Sequence, residues 1–193
     1  MGTAPRGRTM PHNAGMAPLR PLIPLALSAL LAACAGMPAT PGDATGATYI
    51  VVRHAEKEDA PGPDPALSSE GQARAERLAR RLAGEPLVAV YATGYRRTRD
   101  TVAPAARRHG LAPRTYDPHQ APAAFAAALR AAHPAGTVLV AGHSNTVPAI
   151  VAALCACETG AMDESEFDRL SIVRIDRDGR PTLSVTRQDD AGR

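Results

Sequence analysis

Short continuous runs of apolar residues occur between longer segments in which apolar residues recur at helical spacing. The two patterns predict strands interleaved with helices. Short runs rich in valine, isoleucine and leucine predict buried strands over residues 48–52, 87–92 and 137–141, with a shorter strand over 114–116. Apolar residues at helical spacing predict helices over residues 69–84, 98–109, 122–133 and 146–154. Near the end, Asp178-Gly179 is typical of a hairpin turn between strands over 171–176 and 182–187.

This order of elements predicts the fold class. Strands that alternate with helices favour an α/β fold, here a three-layer α/β/α sandwich with a largely parallel central sheet. Two details are also expected: Ser69 and Gln72 fit a capping box at the first helix start, and Pro104 should kink or restart the second helix. Ligands of such sheets bind at the carboxyl ends of the strands. The residues that follow the strands are therefore the candidates for function.

Three predicted strands are followed by residues with distinctive chemistry. Arg53-His54 ends the first strand, residues 95–99 contain three arginines after the second, and His143 follows the strand over 137–141. Each group alone has an ordinary explanation as a hydrogen-bonded loop residue or a solvated helix start. Because the carboxyl ends of parallel strands meet at one edge of the sheet, the three groups together indicate a shared site.

The residue types at this edge suit phosphoryl transfer. Arginine neutralises phosphate oxygens with a fixed fork of donors, and a neutral imidazole can attack phosphorus to form a phosphoramidate that water later hydrolyses. A second histidine can donate a hydrogen bond to the phosphoryl oxygens, and a helix starting near Thr146 adds backbone N–H groups. This scheme requires no metal and no other cofactor, and the sequence shows no carboxylate cluster suited to magnesium.

The motifs at these positions resemble those of the histidine phosphatase superfamily, which has the phosphoglycerate-mutase-like fold. The similarity spans roughly residues 48 to 187, and its signatures lie at residues 51–56, 67–71, 91–101 and 140–145. The chain departs from the family pattern at Ala55, where many members have glycine, and at Asp100, where glutamine is usual.

The resemblance implies a role for each matching residue. His54 would be the nucleophile, and His143 would be the second catalytic histidine. The implied phosphate ligands are Arg53, Arg97, His143 and Asn145, with Arg96 as the alternative to Arg97.

The proton donor for the leaving alkoxide is less well defined by the sequence. An acid follows the third strand in many family members, and Asp117 is the closest match here, although Asp117-Pro118 is equally typical of a turn. Glu56 is a competing acid that could instead orient Arg53 or a neighbour. Some relatives that cleave phosphohistidine manage without a donor. The acidic stretch over residues 163–166 is most simply interpreted as a solvated loop.

The beginning of the chain has the order of a secretory signal, with a positive charge, an apolar run and small residues. Residues 31–34 resemble the lipobox of bacterial lipoproteins, in which Cys34 receives the lipid. We expect a signal peptide over 1–33, with Met16 as an alternative start, a flexible tether over 34–47 and a phosphatase domain over 48–190. An ordinary signal peptide with a chance cysteine is the alternative. In bacterial lipoproteins, aspartate after the cysteine is a common signal for retention in the inner membrane. Ala35 stands there in this chain, so the resemblance implies an anchor in the outer membrane, facing the periplasm.

Charge and cysteine content exclude two classes of site. Three of the 22 basic residues and none of the 19 acidic ones precede Cys34, so the remainder of the chain has no net charge, which argues against nucleic-acid binding. Cys155 and Cys157 lack the further ligands of a metal site. We interpret them as incidental thiols at a helix end, open to oxidation in an oxidising compartment.

The function predicted is that of an exported, metal-independent phosphatase of the histidine acid phosphatase type, acting on small phosphorylated substrates. One alternative is a non-catalytic envelope binding protein on the same fold. The other is a phospho-sugar mutase, against which export argues because phospho-sugar acids are cytosolic. The oligomeric state is left open.

Overall fold

A six-stranded mixed sheet forms the centre of the domain that the computed structural model describes, which comprises residues 45–188. The strands are β1 (Thr45–Arg53), β2 (Leu87–Ala92), β3 (Arg114–Thr115), β4 (Gly136–Gly142), β5 (Arg169–Asp176) and β6 (Pro181–Arg187). The helices are α1 (Ser69–Arg81), α2 (Arg96–Arg108), α3 (Pro122–Ala132) and α4 (Val147–Cys155). The sheet order is β3-β2-β4-β1-β5-β6.

Strand direction divides the sheet into two parts. β3, β2, β4 and β1 run parallel to one another, whereas β5 and β6 pair antiparallel as the closing hairpin. Successive side chains of a strand point to opposite faces. Tyr49 and Val51 accordingly enter a core with α3 and α4, whereas Ile50 and Val52 enter a second core with α1 and α2. The predicted three-layer α/β/α fold is thus confirmed.

The predicted cap of the first helix is wrong, and of the two alternatives predicted for Pro104 the structure excludes the restart. The N-cap of α1 is Ser68 rather than Ser69: its Oγ accepts a hydrogen bond from the Gly71 N–H at 3.1 Å. Ser68 is fixed there because its own N–H donates to the Glu56 carbonyl at 3.0 Å. Helix α2 does not restart at Pro104 but continues through it to Arg108. Burial of α2 residues on both sides of Pro104 against the sheet offsets the backbone hydrogen bond that proline cannot make.

The two cysteines at the end of α4 form a disulfide, with their Cα atoms 5.1 Å apart. Ala156 between them adopts a left-handed conformation with φ of 50°. The predicted signal peptide over 1–33, the lipidation site Cys34 and the tether up to residue 44 lie outside the described residues. Among the helices of the described domain, none is long and apolar enough to cross a membrane.

Candidate active site

The carboxyl ends of β1, β2 and β4 meet at one edge of the sheet. The register aligns Arg53 with Gly142 and Ala92 with Ala141, so the loops that follow all three strands start at the same level. They border a cleft of about 550 Å3. Its lining includes most of the predicted site residues together with several others, among them Arg53, His54, Lys57, Tyr95, Arg97, His119, His143, Asn145 and Glu164.

His54 is held in a fixed position and tautomer. Its backbone N–H donates to the Gly142 carbonyl of β4 at 2.9 Å, and its Nδ1 lies 2.7 Å from the Ala55 carbonyl. A carbonyl oxygen can only accept, so the proton of the neutral ring is on Nδ1 and the free lone pair is on Nε2. The next residue is anchored as well, because the Ala55 N–H donates to Thr101 Oγ1 at 2.8 Å. The ring therefore presents a nucleophilic nitrogen.

The surroundings of His54 keep it uncharged. Burial lowers its pKa to about 4, and the positive charge of Arg53 acts in the same direction, while the hydrogen bond to Ala55 opposes the shift. Burial removes the water that stabilises an imidazolium ion. At neutral pH the imidazole is thus in the form that can attack phosphorus.

His143 faces the same cleft from the loop after β4. The centroids of its ring and of the His54 ring are 5.4 Å apart. Its Nε2 lies 3.1 Å from Oγ1 of the fully buried Thr93. Burial lowers the pKa of His143 to about 4, with Arg97 and Arg53 adding to the effect. A neutral His143 carries one ring N–H. It can donate that hydrogen bond to a phosphoryl group on His54 without placing a further positive charge beside His54.

Arg53 is hydrogen-bonded by the loop between α4 and β5, which the sequence did not identify as part of the site. Its Nη1 donates to the carbonyls of Asp163 and Glu164 at 3.1 and 2.6 Å, and its Nη2 contacts the Glu164 carboxylate at 2.7 Å. The guanidinium also lies 4.2 Å from the centre of the Phe167 ring. Residues 163–165 are exposed, as expected of a solvated loop, but the same loop also holds Arg53 in place. No sequence signal shows this contact, because it depends on the path of the chain between α4 and β5.

Arg97, rather than Arg96, is the second arginine of the cleft. Its guanidinium lies over the Tyr95 ring at 4.2 Å and 3.9 Å from the Asp64 carboxylate. Arg96 lines a separate groove between α1 and α2. The spacing of the family motif, which favoured Arg97, agrees with this placement. Asp64, whose Oδ1 also accepts from the Arg96 N–H at 2.8 Å, was not identified from the sequence.

The remaining candidates occupy different places. Asn145 lines the cleft. Asp117 is exposed, accepts a hydrogen bond from the His119 N–H at 2.9 Å, and borders a smaller adjoining depression rather than the cleft. Glu56 pairs with Arg74 of α1 at 2.6 Å, so it anchors the loop after His54 to the helix instead of orienting Arg53. Within residues 45–188, no group of three or more metal-ligating side chains is close enough to hold an ion.

Comparisons with known proteins agree with this geometry. Residues 49–119 match the family model of the histidine phosphatase superfamily, branch 1. Among solved structures, the protein histidine phosphatase SixA complexed with tungstate is 20% identical with a TM-score of 0.63, the alignment covering 75% of this chain and 99% of SixA. No curated protein sequence matches significantly.

Two further solved structures share the fold. A mycobacterial glucosyl-3-phosphoglycerate phosphatase is 16% identical with a TM-score of 0.57, over 72% of this chain and 98% of its own. YhfR from Bacillus stearothermophilus is 18% identical with a TM-score of 0.57, over 72% and 96%. At these identities the likeness establishes the phosphoglycerate-mutase-like fold of the domain.

Proposed function

We propose that the described domain is a member of the histidine phosphatase superfamily, whose family model matches residues 49–119. We further propose that it is a metal-independent phosphatase that hydrolyses phosphomonoesters through a phosphohistidine on His54. The observation that carries the proposal is the pair of His54 and His143 in one cleft with Arg53 and Arg97. A dianionic phosphate repels an incoming nucleophile, and two guanidinium groups offset that repulsion without a metal ion.

The geometry supports a two-step reaction. In the first step His54 Nε2 forms a bond to phosphorus while the bond from phosphorus to the ester oxygen breaks, and the leaving oxygen takes the electron pair. Arg53 and Arg97 hold the phosphoryl oxygens, and His143 donates a hydrogen bond to them as charge builds up. In the second step water attacks phosphorus, the phosphorus–nitrogen bond breaks and phosphate leaves.

The test is phosphate release from an aryl phosphate, together with trapping of an acid-labile, alkali-stable phosphoryl group on the protein. We expect His54→Asn to lower turnover by about a thousandfold or more and to abolish labelling. His109→Asn is the matched control, because the His109 ring bonds to the Leu82 carbonyl at 3.1 Å and does not line the cleft. Full activity of His54→Asn would contradict the mechanism, and loss of wild-type activity in EDTA would indicate a metal enzyme.

The substrate is proposed only by class, as a small phosphomonoester. The names of the similar structures point to different substrates, a phosphorylated protein histidine in one and a phosphorylated sugar acid in the other. A cleft of about 550 Å3 has room for a phosphoryl group together with a sugar-sized leaving group. A panel of phosphorylated sugars, acids and peptides, compared by kcat/KM, would identify the preferred class.

We also propose that the enzyme is exported and attached to the outer membrane, facing the periplasm, by a lipid on Cys34. The lipobox-like residues 31–34 carry this proposal, and the Cys155–Cys157 disulfide supports an oxidising compartment. The test is labelling of the protein with a radioactive fatty acid in cells, followed by membrane fractionation. Cys34→Ser should remove the label and release the protein to the soluble fraction; retention of the label on the variant would contradict the proposal.

A further inference from the structure

The reaction proposed above needs an acid that protonates the leaving oxygen, and the cleft offers few groups for this task. Glu164 is the acidic side chain among the described residues of the lining. Its pKa is lowered, first by the hydrogen bond from Ser144 and then by the charge of Arg53, so it remains a carboxylate. Glu164 therefore has no proton to donate while it is paired with Arg53.

The two histidines of the phosphoryl site are also unsuitable as donors. His54 becomes bonded to phosphorus. His143 is neutral, since burial lowers its pKa to about 4, and its ring is already engaged with Thr93 Oγ1. A general acid works best when its pKa lies near the working pH. Neither group meets that condition.

His119 is placed differently. It follows the short strand β3, is exposed, and lines the cleft together with His54 and His143. Only its backbone N–H is engaged, with the Asp117 carboxylate at 2.9 Å; its ring makes no hydrogen bond to any residue of the described domain. Imidazole is also the side chain that most often serves as a general acid or base in enzymes. The ring is thus free to contact the leaving group of a substrate held by Arg53 and Arg97.

We propose that His119 is the proton donor of this phosphatase and that Asp117 serves to position it. In the first step the imidazolium of His119 gives its proton to the leaving oxygen as the phosphorus–oxygen bond breaks, so the alcohol departs neutral. In the second step neutral His119 takes a proton from the attacking water. The phosphorus–nitrogen bond breaks and His54 regains its lone pair. The enzyme returns to its starting state with no other reactant.

The proposal rests on the phosphatase function and is tested by the dependence of kcat/KM on the leaving group. 4-Nitrophenolate leaves without needing a proton, whereas the alkoxide of an alkyl phosphate such as glycerol phosphate needs one. We expect His119→Ala to lower kcat/KM for the alkyl phosphate by about 10²- to 10⁴-fold and to change kcat/KM for 4-nitrophenyl phosphate by less than about threefold.

His109→Ala is the matched control, because the His109 ring bonds to the Leu82 carbonyl at 3.1 Å and does not line the cleft. We expect this variant to behave like the wild type on both substrates. Equal losses of His119→Ala on both substrates, or no loss on either, would overturn the assignment. A selective loss in Asp117→Asn would show that Asp117 is the donor instead. Failure of the phosphatase function itself is distinguishable, because His54→Asn would then leave the activity on 4-nitrophenyl phosphate intact.

Discussion

Gly71 fixes how closely helix α1 can approach the loop that follows the nucleophile. A Cβ atom at this position would lie 2.1 Å from the Glu56 carbonyl oxygen and 3.0 Å from its carbon. Non-bonded heavy atoms prefer separations of about 3.5–4.0 Å, so the helix and the loop would have to separate by roughly 1 Å or more. The obstructing atom belongs to the backbone, and that same carbonyl accepts the hydrogen bond from the Ser68 N–H. No side-chain rotation can relieve the clash.

The change Gly71→Ala should therefore destabilise the domain, although alanine is the better helix former. Overpacking costs typically about 1–3 kcal/mol, and at a rigid backbone contact we expect the upper part of that range or more. Alanine's helix propensity returns about 1 kcal/mol. The net loss in the free energy of unfolding is then about 2 kcal/mol. Because Glu56 is two residues from His54, we also expect kcat/KM to fall.

The control is Gly84→Ala, since a Cβ at Gly84 meets nothing within 4 Å. A compatible glycine-to-alanine change stabilises by about 0.4–1 kcal/mol through the unfolded chain. Urea unfolding followed by circular dichroism should thus separate the two variants by about 2–3 kcal/mol, and their melting temperatures by roughly 4–12 °C at about 2–4 °C per kcal/mol. The reasoning is refuted if Gly71→Ala is as stable as Gly84→Ala.

Three further predictions concern the site. The folded domain holds His54 and His143 with pKa values of about 4, below the ordinary value near 6.5, so the unfolded chain binds protons first on acidification. The free energy of unfolding should fall from pH 6.5 to pH 4, and urea titrations should show a smaller fall for His54→Asn; an equal fall would contradict the assignment. Glu164→Gln removes a charge that competes with phosphate for Arg53, so the inhibition constant of inorganic phosphate should decrease. Because the Glu164 side chain is exposed, the decrease should be at most about fivefold. An unchanged or higher inhibition constant would show that Glu164 does not compete with phosphate. Thr101→Val leaves the buried Ala55 N–H without an acceptor and should cost about 1–3 kcal/mol in urea unfolding, whereas Thr101→Ser should cost less; equal losses would show that the hydroxyl is not responsible.

The sequence predicted the parts of this molecule that local patterns determine. Residues 49–52 and 138–141 are apolar throughout because their strands are covered on both faces, and that pattern is visible without a structure. The residues directly after the strands follow from chain direction, which is why Arg53, His54 and His143 were placed at one edge of the sheet.

The parts that depend on long-range contacts could not be predicted in the same way. Glu164 reaches Arg53 across 111 positions of the chain, and its acidic neighbours make the segment look merely solvated. His119 enters the cleft because Asp117 binds the backbone N–H two residues later and turns the chain there. The sequence drew attention to the acid of this turn, whereas the structure places the imidazole in the cleft. The cap of α1 was displaced by one residue because Ser68 is tied to Glu56, a contact outside the helix.

The parallel pairing of β1 with β4 also determines when the site can exist during synthesis. The two strands are neighbours in the sheet but about 90 residues apart in the chain. At about 5–20 residues per second, a ribosome takes roughly 5–20 s to deliver β4 after β1. Throughout that interval β1 exposes an apolar, β-branched edge with no hydrogen-bonding partner, a segment prone to aggregation. His54 is thus synthesised early in the domain, but its site is complete only after β4 has been synthesised and has paired with β1.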